Sequence, residues 1–302
     1  MQVRKVALLF ALALGVSALP AGQSRAIRDD LGHEWTIGPP PRRIVSLAPN
    51  VTEILFALGL EDRIVGVTRY CDYPAGALAK EKVGGLVDPS LEKISALKPD
   101  LILAFRGNPV RTLGKMRSLG LPVFSLEPAT SLESLLETIG KIGLVTGSEE
   151  AARAHAAALD ARIKAVEAFL RGRAERPKVF LSLQGQGLWT CGRESFLDAL
   201  IQRAGAVNIA AGIPKKWVLL GREEILHRDP DVVVIMAKTQ ADFERAAAWF
   251  RTEPRLKHLR AVAAGRMSFL DENKASRFGP RLVDAFEELV LILHPALQGS
   301  EP

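Results

Sequence analysis

The sequence predicts an α/β protein of two Rossmann-like lobes with parallel sheets, joined by a single long α-helix. Three observations predict it. A segment recurs: Glu92, Ile94, Pro99 and Asp100 are matched by Glu223, Ile225, Pro230 and Asp231, each 131 positions further on. Each copy is a short amphipathic helix, a Pro-Asp break and an all-apolar run. Proline turns the residue before it away from the helical region. An apolar run without alternation suits a strand buried on both faces of a parallel sheet. Strand-like and helix-like segments also alternate in both halves, as in βαβ units. Between the halves, residues 148–171 run for 24 positions without proline or glycine. As a helix that stretch would be about 36 Å long, a rigid connector between lobes.

The elements follow in order. Residues 1–26 read as a cleaved export signal. Arg4 and Lys5 precede an apolar run, and small residues follow at Ala18, Ala21 and Ala26. The run is shorter than the about 20 residues of a membrane span and ends at Pro20. No cysteine lies near the cleavage region, so a lipid anchor is not expected. Residues 27–147 form the predicted N-terminal lobe. It begins with an extended lead-in over 27–41 and a buried strand over 43–47. A turn at Ala48-Pro49-Asn50 precedes a helix over 52–58, with Gly59 as its left-handed cap. Strands follow at 64–67, 101–104 and 123–126, with helices near 90–96 and 110–119. The connecting helix takes residues 148–174, with Ser148 as N-cap and Glu149 and Glu150 in the first turn. The C-terminal lobe takes residues 175–302. Its predicted strands are 179–183, 232–236 and 267–270. Its predicted helices are 196–204, the second repeat helix, and 282–294 with Val283, Phe286, Leu289, Val290 and Leu293 inward.

Composition excludes several function classes. The chain has 302 residues, 48% hydrophobic and 25% charged, which is ordinary globular usage. Of the net charge of +6, three belong to the export segment, and the other basic residues are mixed with acids. That pattern argues against nucleic-acid binding. Two cysteines, Cys71 and Cys191, are too few for a disulfide scaffold or a four-thiolate zinc site. They read either as buried thiols or as a pair across the cleft.

Catalytic signatures are missing. Gly185-Gln186-Gly187 is wrongly spaced for a dinucleotide fingerprint. The five histidines are dispersed, and His155 and His227 are expected on solvated helix faces. No carboxylate stands out as one whose pKa burial would raise. Binding features are stronger. Ligands of open α/β sheets lie beyond the carboxyl ends of the strands. The residues expected there are Pro49, Asn50, Tyr70, Asp72, Tyr73, Phe105, Arg106, Trp189 and Trp217. Aromatic side chains on such loops can stack on a large flat ligand.

Three segments carry a resemblance. They are Arg-Ile-Val-Ser-Leu-Ala-Pro-Asn-Val-Thr-Glu-Ile-Leu-Phe from Arg43, Val-Gly-Val-Thr-Arg-Tyr-Cys-Asp-Tyr-Pro from Val65, and Leu-Glu-Lys-Ile-Ser-Ala-Leu-Lys-Pro-Asp-Leu-Ile-Leu-Ala from Leu91. The chain resembles the periplasmic solute-binding proteins that feed ABC importers of cobalamin, ferric siderophores and haem. The Tyr-Cys-Asp-Tyr-Pro loop and the Trp-Thr-Cys-Gly-Arg-Glu-Ser segment look most like the cobalamin branch. The resemblance implies a periplasmic, monomeric protein without cofactor or catalysis. It would hold a corrinoid between the lobes and deliver it to a permease and ATPase complex at the inner membrane. It implies docking by Glu92 and Glu223 on arginines of the permease. It implies aromatic contacts from Tyr70, Phe105, Trp189 and Trp217. Phe105 and Leu86 stand where tryptophan is often found. Arg106 and Arg277 could meet ligand oxygens. A ferric siderophore or haem remains the alternative, with Tyr70 or Tyr73 on iron. A chelatase-like enzyme on a related fold is the alternative of a different class.

Overall fold

A computed structural model describes residues 26–183 and 188–295. The expected export segment up to residue 25 and Gly185-Gln186-Gly187 lie outside the described residues. The first half contains β1 (Ala26–Arg28), β2 (Glu34–Thr36), β3 (Ile44–Ser46), α1 (Pro49–Ala57), β4 (Ile64–Val67), α2 (Leu91–Ala96), β5 (Leu101–Phe105), α3 (Val110–Ser118), β6 (Val123–Leu126) and α4 (Leu132–Thr146). Helix α5 (Glu149–Leu170) leads into the second half. There follow β7 (Lys178–Ser182), β8 (Trp189–Cys191), α6 (Phe196–Arg203), β9 (Val207–Asn208), β10 (Trp217–Leu219), α7 (Arg222–Arg228), β11 (Val232–Ala237), α8 (Gln240–Thr252), α9 (Arg260–Ala263), β12 (Met267–Asp271), α10 (Glu272–Ala275) and α11 (Arg281–Leu293).

Two four-stranded parallel sheets result, ordered β4-β3-β5-β6 and β9-β7-β11-β12. The orders are the same, strand for strand. The recurring segment therefore supplies the same helix and central strand to each lobe. Its Pro-Asp break has a specific task. Asp100 accepts hydrogen bonds from the backbone N–H groups of Arg42 and Arg43, at 2.7 and 2.8 Å. Asp231 accepts one from Lys178 at 2.8 Å. Each carboxylate thus pins the start of the neighbouring parallel strand. The residues before the two prolines, Lys98 and Asp229, share a left-handed backbone with φ of 45° and 40°.

The apolar runs alternate between two cores. Ile102 and Ala104 of β5 pack with Ile94 of α2 and with Leu113 and Met116 of α3. Leu101 and Leu103 face the other way. In β11, Val233 and Ile235 join Phe250 of α8, while Val232, Val234 and Met236 face away. The second faces of both sheets meet one continuous core. It also takes Leu159 and Ile163 of α5 and Phe286 and Leu289 of α11, so the lobes share an interior.

Several expectations need correction. Helix α1 begins at Pro49, so the turn expected at 48–50 is its first turn; proline suits that position, whose N–H would have no partner. The lead-in is an antiparallel hairpin of β1 and β2, its loop tied by buried Asp29, which accepts from Leu31 and His33 at 3.0 and 2.8 Å. Ser148 occupies the N-cap position of α5, but its side chain makes no capping bond. Helix α5 is about 33 Å long at 1.5 Å per residue. Helices α4 and α8 were not anticipated. Gly143 breaks the apolar pattern of α4 for a packing reason: a Cβ there would lie 2.3 Å from the Ala152 Cβ of α5. Among the described residues no helix is long and apolar enough to cross a membrane.

Candidate functional site

The carboxyl ends of the strands carry the residues expected to bind ligand, but the two lobes present them differently. In the N-terminal lobe, Leu86 and Phe105 are half-buried against the core. Asn108 fixes both. It is 2% exposed. Its carbonyl accepts from the Phe105 N–H at 2.8 Å, and its amide donates to the carbonyls of Leu86 at 2.8 Å and Leu47 at 3.1 Å. A buried amide with that many partners holds three strand-end segments in one place. The adjoining Tyr-Cys-Asp-Tyr loop hangs on Cys71. Its thiol is buried between the hydroxyls of Thr52 and Thr68, both at 3.1 Å, and burial raises its pKa. Tyr70, Asp72 and Tyr73 on either side remain exposed.

In the C-terminal lobe the wall is a two-stranded antiparallel ribbon of β8 and β10, where the sequence reading had loops. Trp189 pairs with Leu219, and Trp217 with Cys191. Both tryptophans are nearly half exposed, while Thr190, Cys191 and Val218 are buried beneath them. Asn208 ties the ribbon to the lobe, donating to the Cys191 carbonyl at 2.8 Å and to the buried Asp198 carboxylate at 2.7 Å. The strands close at Gly192, where a Cβ would sit 2.3 Å from the Lys215 carbonyl oxygen. Under the ribbon lies a cavity of about 370 Å³. Among the described residues, Trp189, Trp217, Phe196, Leu183, Leu197 and Met236 make its apolar walls, with Glu272 and Ser276 as the polar members.

A charged cluster joins the lobes at α1. Glu53 is 4% exposed and receives two hydrogen bonds from Arg281, at 3.0 and 2.6 Å. Arg277 lies 3.8 Å from the same carboxylate and forms a two-pronged pair with Asp72, its second nitrogen at 2.9 Å. The Arg281 guanidinium covers the Tyr73 ring at 3.9 Å. Burial lifts the Glu53 carboxyl above its usual range against the pull of both arginines. The Arg277 hydrogen bonds hold Asp72 below its usual range. Sequence reasoning missed Glu53, although a lone acid inside Val51–Phe56 was a legible signal. The expectation that no carboxylate would be shifted upward by burial is therefore wrong.

The other expected residues are placed as follows. Asn50 is buried in the first turn of α1, and Pro49 is half-buried beside it. Arg106 pairs with Glu127 at 2.7 Å, and Arg69, next to Tyr70, with Asp88 at 2.8 Å. The four arginines flanking the strand ends, Arg69, Arg106, Arg277 and Arg281, are thus each matched with a carboxylate. Glu92 and Glu223 are exposed in the first turns of α2 and α7. Glu223 pairs with Arg255, and Glu92 has no ion-pair partner among the described residues. Cys71 and Cys191 are free and buried, and burial pushes the Cys191 thiol up to about 12. His155 is not on a solvated face: its Nε2 is buried, and burial and then the Arg162 charge lower its pKa. The described residues hold no group of three side chains suited to a metal ion.

Comparisons with known proteins agree with this architecture. A family model described as "Periplasmic binding protein" matches residues 44–274. The vitamin B12-binding protein of Yersinia pestis (strain Pestoides F) is 33% identical, over 82% of this chain and 84% of its own. The uncharacterized ABC transporter substrate-binding lipoprotein YvrC of Bacillus subtilis (strain 168) is 29% identical, over 89% of this chain and 85% of its own. Among solved structures, the periplasmic heme-binding protein RhuT from Roseiflexus sp. RS-1 superposes with a TM-score of 0.75 at 27% identity. That match covers 85% of this chain and 99% of RhuT.

Proposed function

The chain belongs to the periplasmic binding protein family, and from that premise we propose that it captures cobalamin or a related corrinoid in the periplasm and delivers it to an ABC importer. The observation that carries the ligand class is the strand-end surface. Two tryptophans roof an apolar cavity, and each of the four flanking arginines is neutralised by a carboxylate. A large, flat, amide-rich macrocycle gains stacking area there and needs no free cation. A polyanionic chelate that used these four arginines would have to displace an existing ion pair. The 33% identity to a vitamin B12-binding protein supports the same reading.

Capture and delivery require no chemistry, so the protein acts as a carrier and not as an enzyme. Export to the periplasm rests on the family and on the sequence of the first 26 residues. We propose a monomer whose Glu92 and Glu223, at equivalent helix starts on the two lobes, engage arginines of the permease. The Arg255 pair at Glu223 is solvent-exposed, and such pairs contribute little, so a partner arginine can replace it.

A second reading, haem or a ferric siderophore, is favoured by Tyr70, a residue type that ligates ferric iron and is here 52% exposed. The similarity to a heme-binding structure also supports it. The two readings separate in one experiment. Purified protein is mixed in turn with cyanocobalamin, cobinamide, haemin and a ferric siderophore, desalted and scanned. A retained corrinoid spectrum is expected. A retained iron spectrum without a corrinoid one would establish the second reading instead.

A further inference from the structure

Glu272 differs from the acids near the strand ends that are already engaged, among them Asp271, which caps α10 by accepting from the Asn273 N–H. Glu53, Asp72, Asp88 and Glu127 are all bound to arginine. The half-buried Glu272 carboxylate has no hydrogen-bond or ion-pair partner among the described residues. It nevertheless lines the apolar cavity under Trp189 and Trp217. It is the one charged side chain among the described residues of that lining. Its neighbour Ser276 donates its hydroxyl proton to the Glu272 main-chain carbonyl at 2.6 Å. The Ser276 oxygen is therefore left as an acceptor. Among the described residues, the polar side chains of this lining are acceptors, one of them carrying a full negative charge.

From this we infer that Glu272 is a specificity-determining residue: it accepts N–H groups of an amide-bearing macrocycle and repels ligands that bring carboxylates to the same wall. A carboxylate among apolar side chains acts through a lower effective dielectric than in water, so its attraction and its repulsion are both strengthened. Selection against an alternative by a like charge is a general route to specificity. The haem and siderophore classes carry anionic groups, and the amide corrinoids carry N–H donors at the corresponding periphery. Glu272 therefore sorts by the functional groups on the rim, and the tryptophans accept either ring by its face.

This inference rests on the corrinoid reading, and the test separates the two. Dicyanocobinamide, with amide side chains, and dicyanocobyrinic acid, the same ring with carboxylates, are titrated against the protein by tryptophan fluorescence. Haemin is titrated in parallel. The wild type is expected to favour the amide ring by at least about tenfold, or about 1.4 kcal/mol. Glu272→Gln should reduce that ratio, and Glu272→Lys should shift it toward the acid by a further factor of about ten. Urea unfolding of each Glu272 variant, expected to keep the wild-type midpoint, serves as the control for local disruption. If the wild type binds both corrinoids equally, or the ratio is unchanged in both Glu272 variants, the role of Glu272 is overturned and the corrinoid reading stands. If the wild type retains haemin and neither corrinoid, or binds none of the three and no cyanocobalamin, the corrinoid reading falls and takes this inference with it.

Discussion

The two lobes share a scaffold and differ at its rim. Strand order, Pro-Asp pins and left-handed pre-proline residues recur from one half to the other. The walls proposed to face ligand do not recur. The N-terminal wall is Leu86 and Phe105, held flat against the core by Asn108. The C-terminal wall is an inserted ribbon that lifts Trp189 and Trp217 over a cavity. Strand pairing tolerates little change because each strand is buried on two faces, whereas segments at strand ends are free to diverge.

Four experiments bear on that comparison, the largest effect first. The likeness of the lobes predicts that their acids act together. Glu92→Ala combined with Glu223→Ala should abolish uptake in reconstituted vesicles while ligand affinity is unchanged; normal uptake would remove the docking role. The junction between the lobes is tested by Glu53→Ala. It leaves Arg281 buried without its partner and should cost about 3–5 kcal/mol in urea unfolding. The difference between the walls predicts unequal losses. Trp217→Ala should weaken corrinoid binding about thirtyfold, near 2 kcal/mol, and Phe105→Ala about fivefold, near 1 kcal/mol, by calorimetry. Equal losses would erase the distinction drawn here. The smallest effect concerns pH. Asp72 is held below its ordinary value of 3.8. Its pair with Arg277 therefore contributes fully above that value, and the contribution is lost as pH falls through the lower folded value. Asp72→Asn should flatten the acid limb of the urea midpoint against pH, and an unchanged limb would show the pair to be inert.

Much of the scaffold was legible because its signals are local. The Pro-Asp break, the apolar runs and the uninterrupted stretch around Leu159 each lie within one segment. Helix α4 was hidden because Gly143, which lets α5 approach, reads as a helix breaker. The site was only partly legible. The aromatic residues could be named, but Trp189 and Trp217 reach one cavity through the pairing of strands that no periodicity records. Glu53 was legible as a lone acid in an apolar run, but its partner was not, because Arg281 is brought against it from 228 residues away. Asn108 was equally silent, since its value lies in three backbone partners from three segments.

The core common to both sheets bears on how this protein can be taken apart. Each lobe owns a complete sheet, and by the sheets alone a cut within α5 frees two modules. Yet Leu159, Ile163, Phe286 and Leu289 belong to an interior that neither half encloses alone. Severed halves would expose that interior to water and adhere to each other or precipitate. Heat should melt the intact chain in one transition, as a single cooperative block whose twofold strand order has no counterpart in its thermodynamics.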